Sequence, residues 1–281
     1  MRKLLNIVKW GSTLGSEPQA FLSAKWIGHF LKRTSKSKRR LWALRILSLS
    51  PHYFINPDDP KYRGWSHNDY LEGIFKECSD SRVEIFDHIL SRYVSAEETV
   101  LDYGCGPGFL AGVTAPHVKK LYACDISTGA LACAKILNAA PNLEYIVADK
   151  TGFSKIPDGS LDTIYSFAMV QHLSDEVFDL VLANCSRMLK PGGRLVLHIQ
   201  MIDDVWKTED EWKTDTSLQG KLKFKYGLHC FGRTEQAHID AVTKHGFTEI
   251  KIESLSSLIP DHPYDTSSQS MLTAIRAESI D

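Results

Sequence analysis

Between residues 100 and 200 the hydrophobic positions gather into short apolar runs bounded by glycines and small polar residues. Such runs predict buried strands, and the segments between them predict helices. The first strand is predicted at Val100-Leu101-Asp102-Tyr103, which runs straight into Gly104-Cys105-Gly106-Pro107-Gly108 and a helix from near Pro107. Further strands are predicted over 119–124, ending at Asp125; over 143–148, ending at Asp149; and over 161–167. Another follows over 194–199, entered through the turn Leu189-Lys190-Pro191-Gly192-Gly193. Ser127 is a predicted N-cap for a helix reaching about residue 140, and a helix over 234–245 leads through Gly246-Phe247 into a strand over 248–254. The last strand is predicted over 271–277. Alternating strands and helices with short connections form an α/β fold with a doubly wound, mostly parallel sheet, whose ligand lies at the carboxyl ends of the strands.

The glycine turn lies on that edge. Gly104 and Gly106 open backbone angles closed to other residues and let a ligand approach the main chain, and Gly108 lets the next helix pack near the strand. A Gly-x-Gly-x-Gly run alone also fits a strand-to-helix turn with no ligand, though less well. The acids at the following strand ends add weight to the first reading. Asp125 lies roughly 20 residues past the turn, where a carboxylate can accept both hydroxyls of a ribose. Asp125 and Asp149 could also serve as plain helix caps.

These residues together resemble the class I S-adenosylmethionine-dependent methyltransferases. The resemblance is to the small-molecule branch that includes the quinone-biosynthesis enzymes, the type 11 methyltransferases. It rests on Val100 through Gly108, Asp125-Ile126-Ser127, Ala148-Asp149, the stretch 166–173 and Leu189 to Gly193, and it covers about residues 80–255. A nicotinamide-binding domain would want Gly-x-Gly-x-x-Gly, and here the third glycine arrives one position early. The resemblance implies a seven-stranded Rossmann-like sheet closed by an antiparallel pair, an enzyme, and S-adenosylmethionine as cofactor. It implies that Asp102 and the Gly104 backbone hold the methionine end, that Asp125 with Ile126 holds the ribose side, and that Asp149 and the Lys150 backbone meet the adenine. Phe167 should line the methionine moiety.

Charge changes the picture at the N-terminus. The chain has 281 residues and a formal net charge of −1, yet residues 1–50 hold eleven Lys or Arg and one acid, Glu17. On a helix from Ala20, Lys25, His29, Lys32 and Arg33 share one face and Trp26, Ile27, Phe30 and Leu31 the opposite arc, followed by Lys36-Ser37-Lys38-Arg39-Arg40. A basic amphipathic helix with aromatic residues suits an anionic membrane surface. It would serve equally as an RNA grip, or as a helix docked on the domain. The division expected is a basic then aromatic helical extension and lid over 1–80, and a methyltransferase domain over 81–281 with a substrate-side insertion over 200–233. No run approaches the roughly 18 apolar residues of a spanning helix, and six cysteines without a C-x-x-C pair read as thiols in a reducing compartment rather than disulfides or a metal site. A cytoplasmic protein, peripheral at the membrane if the basic arm binds there, is the expectation.

Trp65 and Tyr70 precede a helix predicted over 81–93, with Val83, Phe86, Ile89 and Leu90 as its apolar face, and are candidates for a lid. Tyr226 and His229 fall in the insertion, where similar enzymes build substrate recognition. His172, in Met169-Val170-Gln171-His172-Leu173 just beyond a strand end, is the residue best placed to remove a proton from an acceptor. No Asn-Pro-Pro-Tyr run and no Pro-Cys nucleophile follow that strand, which weighs against nucleobase methylation. A small-molecule acceptor, amphiphilic as in a lipid-linked sugar, lipid or quinone precursor, is expected. An RNA methyltransferase and a cofactor-binding partner protein without turnover stay open.

Overall fold

A computed structural model describes residues 25–49, 60–203, 206–218, 220, 229–259 and 268–278. Seven strands form one sheet: β1 (Thr99–Tyr103), β2 (Lys120–Asp125), β3 (Leu143–Val147), β4 (Leu161–Ser166), β5 (Leu189–Gln200), β6 (Phe247–Ser254) and β7 (Gln269–Arg276), in the order β3-β2-β1-β4-β5-β7-β6. The first five run parallel, and β7 lies antiparallel between β5 and β6. Strand order reverses between β1 and β4, so a crevice opens outside their carboxyl ends.

The central strands are apolar on both faces because helices cover both. Leu101, Ile164 and Leu197 face one layer, which holds Phe178, Leu182 and Cys185 of α6 (Asp175–Met188). Val100, Leu121 and Val196 face the other, with Leu110 of α4 (Phe109–Thr114) and Leu131 of α5 (Thr128–Leu137). Val100 and Leu101 are adjacent and point to opposite layers, as the two-residue period of a strand requires.

The N-terminal helices α1 (Trp26–Arg33), α2 (Lys36–Leu47) and α3 (His67–His88) share a third cluster, in which Ile27, Leu31, Leu44, Leu47 and Leu71 pack with Cys133 and Leu137 of α5. Ile27 and Leu31 are fully buried, which stabilises this docking by about 1.5–3 kcal/mol for each side chain. The apolar arc of α1 therefore faces the domain. Lys25, His29, Lys32 and Arg33 point to solvent, and Trp26, expected on the apolar side, is 53% exposed.

Several sequence boundaries need correction. α3 begins at His67, far ahead of the predicted residue 81: the Ser66 hydroxyl accepts from the Asp69 N–H as N-cap, and Leu71, Ile74, Ile85 and Phe86 keep one side buried through its 22 residues. The division expected at residue 80 falls inside this helix, and Val83, expected on the apolar face, is 43% exposed. β5 begins at Leu189, which pairs with Leu161; the Pro-Gly-Gly stretch is an irregularity in a strand that resumes pairing at Arg194. Among the described residues no helix is long and apolar enough to cross a membrane.

Candidate functional site

The glycine turn is built on β1 and tied to β2. Gly104 and Cys105 both donate to the Cys124 carbonyl, at 2.8 and 2.9 Å, so the chain folds back over the end of the neighbouring strand. Gly104, Gly106 and Gly108 all have positive φ, at 82°, 52° and 77°. Space is as limiting as conformation. A Cβ on Gly104 would overlap Met169 Cγ and lie 2.8 Å from Met169 Cβ, and one on Gly108 would overlap the Tyr145 hydroxyl.

Asp125, at the end of β2, holds this turn in shape. Its Oδ2 accepts from the Gly106 N–H at 2.9 Å and its Oδ1 from the Ser127 N–H at 2.8 Å. Each oxygen keeps a second lone pair, so the carboxylate has capacity left for donors from a ligand. Burial raises the Asp125 carboxyl, and the N–H groups of Ser127 and Gly106 oppose that rise. Ile126 beside it is 58% exposed, an apolar side chain standing at the carboxyl edge of the sheet.

Asp102 lies beneath the turn, 2% exposed, with an Oδ2 that has no well-formed hydrogen bond among the described residues. Tyr165 is its register partner on β4, and the Tyr165 hydroxyl is likewise buried without a well-formed bond. Burial pushes the Asp102 carboxyl up to about 8; the nearby Tyr165 hydroxyl and the Arg82 charge oppose the rise, and the Asp125 charge adds to it. A buried carboxyl with an idle oxygen needs a reason, because leaving it unmet costs about 1–3 kcal/mol. A cationic or N–H-bearing ligand seated at the turn would meet it. Arg82 belongs to α3, so the helix ahead of β1 approaches the turn by its middle, where Phe75 meets Phe109 at 5.2 Å between ring centroids.

Beyond β4 the backbone is strained. Ala168 has φ 56°, a left-handed conformation unusual for alanine, and its N–H donates to His198 Nδ1 at 3.1 Å. His198, on β5, stacks its ring on Phe167 with centroids 4.3 Å apart. Phe167 and Met169 are therefore aimed by a residue that sequence reasoning did not single out. Nothing in the sequence signals Ala168, since alanine carries no preference for positive φ.

Asp149 caps a short helical turn (Lys150–Phe153) through Oδ1, which accepts from the Gly152 N–H at 2.7 Å. The capping reading of Asp149 thus describes one oxygen, and Oδ2 accepts no hydrogen bond among the described residues. Gly152 is a second residue the sequence did not flag: a Cβ there would overlap the Val147 carbonyl oxygen.

His172 ends a 3-10 turn (Val170–His172) past β4. Its Nδ1 lies 2.8 Å from the His229 carbonyl, which can only accept, so Nδ1 carries the proton and Nε2 the lone pair. Burial lowers the His172 imidazole below the ordinary value, with the His229 carbonyl opposing, so the ring is neutral at pH 7. Of the insertion residues, His229 meets His172 through its carbonyl, while its ring packs between Trp212 and Phe231. Tyr226 lies outside the described residues. Tyr70 is 6% exposed in the N-terminal cluster against Tyr62, and Trp65, 46% exposed, packs on Tyr62. The structure brings together Asp102, the glycine turn, Asp125, Ile126, Phe167 and Met169 around one edge, and sets Tyr70 into a different core.

A family profile described as a methyltransferase domain matches residues 101–197, from inside β1 into β5. Over residues 101–197 the chain is similar to S-adenosylmethionine-dependent methyltransferases. Curated proteins named ubiquinone biosynthesis O-methyltransferase are similar to part of the chain. The one from Saccharophagus degradans is 30% identical over 125 residues, covering 44% of this chain and 52% of the relative. The one from Albidiferax ferrireducens is 29% identical over 153 residues, covering 52% and 57%. The chain spans about half the length of these relatives. Among solved structures, a chain from a Haloferax volcanii complex of the Trm112 methyltransferase activator with a methyltransferase superposes with a TM-score of 0.54 at 19% identity, covering 74% of this chain and 95% of that one. A geranyl diphosphate C-methyltransferase from Streptomyces coelicolor gives 0.52 at 14% identity, covering 80% and 87%. At these identities the likeness is one of fold alone.

Proposed function

We propose that this protein transfers a methyl group from S-adenosylmethionine to an oxygen of a small, amphiphilic acceptor. The observation that carries the cofactor half is the idle buried Oδ2 of Asp102 beneath a turn tied to Asp125. The amino group of the methionine end fits the Asp102 oxygen, with the Gly104 backbone beside it. The ribose hydroxyls fit the free lone pairs of Asp125. The adenine fits between the exposed Ile126 and the Asp149–Lys150 turn, and Phe167 lines the methionine side. The bound cofactor supplies a methyl on a sulfonium, whose departure as a neutral thioether needs no acid from the protein. What remains for the protein is in-line positioning and removal of the acceptor's proton.

His172 is the residue we assign to that proton. It is neutral at pH 7, its Nδ1 is committed to the His229 carbonyl, and its Nε2 makes no hydrogen bond among the described residues. A base of lowered strength suits an acidic hydroxyl such as a phenol better than an aliphatic alcohol. The relatives named as O-methyltransferases point to oxygen as well. Lys25, Lys32, Arg33, Lys36 and Lys38 are exposed and make no ion pair among the described residues, which supports approach to an anionic membrane where an amphiphilic acceptor would reside.

The test is titration calorimetry with S-adenosylhomocysteine, followed by transfer from labelled S-adenosylmethionine to catechol, aniline and aliphatic alcohol probes. Binding with transfer to catechol and a loss of about 100-fold or more in His172→Gln is expected. No binding at millimolar ligand refutes the cofactor assignment. Binding with transfer to aniline alone refutes the oxygen acceptor.

A further inference from the structure

The turn that carries His172 is held from one side by residues 229–233, 57 or more positions later in the chain. The Phe231 N–H donates to the Gln171 carbonyl at 2.7 Å, and the His229 carbonyl accepts from His172 Nδ1 at 2.8 Å. Arg233 forks over the far end: Nη2 donates to the Leu173 carbonyl at 2.7 Å and Nε to Asp175 Oδ1 at 2.8 Å. From behind, the Trp212 indole N–H, on the helix α7 (Glu209–Thr214), donates to the Cys230 carbonyl at 2.8 Å. The same helix sends Glu209 Oε2 to the Asp175 N–H at 2.7 Å. Trp212 and Arg233 are 4% and 7% exposed, and the Arg233 guanidinium lies 4.9 Å over the Phe178 ring.

The tautomer of His172 is set chiefly by the His229 carbonyl, 2.8 Å from Nδ1, with the Cys230 sulfur a longer and weaker partner at 3.9 Å. A neutral imidazole whose Nδ1 loses that acceptor has no reason to keep its proton there, and the tautomer with Nε2–H cannot receive a proton from an acceptor at Nε2. Keeping the carbonyl in place is the task of the residues that hold segment 229–233, and none of these bonds is to the imidazole itself.

We propose that Trp212 and Arg233 are positioning residues for proton removal: by fixing segment 229–233 against the turn Val170–His172, they hold His172 in the Nδ1–H tautomer with Nε2 as the accepting atom. This rests on the assignment of His172 as the base. It gives the insertion a role beyond substrate contact, since its return segment and α7 set the protonation geometry of a residue on the sheet edge. Among the described residues, the charged and titratable groups facing the turn are His229 and Cys230 from the segment, with Cys230 Sγ 3.9 Å from His172 Nδ1, and Asp175, Glu209 and Arg233 beyond it.

The experiment is nitrogen NMR of the full chain with labelled histidine, with the His172 signals assigned by His172→Gln. The wild type should show the Nδ1–H tautomer alone in the neutral ring. Trp212→Phe, which keeps an aromatic ring but loses the N–H donor, should give mixed tautomers and a titration midpoint moved down, because the carbonyl that opposes the effect of burial is displaced. Arg233→Lys, which keeps the charge but loses the fork, should do the same from the opposite end of the segment. An Nε2–H tautomer in the wild type overturns the proposal without any variant. So does either variant, folded by circular dichroism, whose His172 tautomer and midpoint match the wild type. The measurement needs no acceptor, so it is separable from the base assignment: His172→Gln with undiminished methyl transfer to catechol refutes the base and leaves the positioning result standing.

Discussion

Replacing Gly104 by alanine tests the reading that Met169 packs closely against the Cβ side of Gly104. Two costs follow from the structure. At φ 82° an alanine sits in the left-handed region, which costs about 1–2 kcal/mol. The added methyl would also overlap Met169 Cγ and lie 2.8 Å from Met169 Cβ; the latter is fixed to the backbone, so relief needs a main-chain shift, an overpacking cost of about 1–3 kcal/mol. The sum, about 2–5 kcal/mol, is a large share of the roughly 5–15 kcal/mol that a typical domain has. Gly104→Ala should therefore fold but melt on the order of 5–15 °C lower. The two costs separate in a double-mutant cycle with Met169→Ala, which removes Cγ and Cε but leaves the Cβ contact. In that background Gly104→Ala should cost about 1 kcal/mol less than in the wild type. Equilibrium urea unfolding followed by circular dichroism measures all four corners. A cost below about 1 kcal/mol for the single variant, or a coupling below about 0.3 kcal/mol, refutes the placement of Met169 over the turn.

Asp102 carries a pH signature. Its folded pKa, up to about 8, stands above the unfolded carboxyl value near 4. The folded state therefore keeps a proton the unfolded state has lost, and the stability it contributes is complete below about pH 4 and lost as pH rises through about 8. Asp102→Asn cannot ionise, so its melting temperature should gain on the wild type between pH 5 and pH 9; parallel curves would contradict this. Asp125→Ala removes the acceptor of the Gly106 and Ser127 N–H groups and two expected ribose contacts, each charged bond being worth about 1.5–3 kcal/mol. S-adenosylhomocysteine should bind at least about tenfold more weakly by calorimetry, and an unchanged Kd would show that Asp125 does not face the ribose. Changing Lys25, Lys32, Arg33, Lys36 and Lys38 together to Gln should abolish sedimentation with phosphatidylglycerol vesicles at low salt, each cation contributing about 1 kcal/mol within a Debye length of roughly 8 Å. Arg39 and Arg40 are spared because the first bonds the Lys32 and Thr34 carbonyls and the second pairs with Glu72. A wild type that ignores such vesicles leaves the basic face as a solvated surface.

The parts of the site that were legible in the sequence are those made by neighbours in the chain. β1, the glycine turn and the strand ending at Asp125 lie within one strand-turn-helix unit, so their spacing alone constrains where they meet. The start of α3 was missed because its first two turns, His67 to Asn68 and onward through Gly73, mix polar and aromatic residues, and the capping bond from Ser66 to Asp69 carries the start more than periodicity does. Val83 was misjudged because one β-branched residue at helical spacing from Phe86 looks apolar-faced on a wheel, whereas the helix turns it to solvent. The strain at Ala168, the support from His198 and the influence of the Arg82 charge on Asp102 all depend on which strands and helices become neighbours. So does the whole surround of His172. None of these leaves a local mark, because which carbonyl or ring lies alongside is decided by segments distant in the chain.

The two halves of the site differ in the length of chain each must close. The bond from Gly106 to Asp125 spans 19 positions, and that from His172 to His229 spans 57. A threefold longer loop carries about 1 kcal/mol more closure entropy, and the pairing it allows comes later in folding for that reason. The half built on the glycine turn is thus expected to assemble earlier, and S-adenosylhomocysteine binding during refolding should recover ahead of the His172 tautomer. Chain connectivity, rather than the strength of any one contact, sets that order.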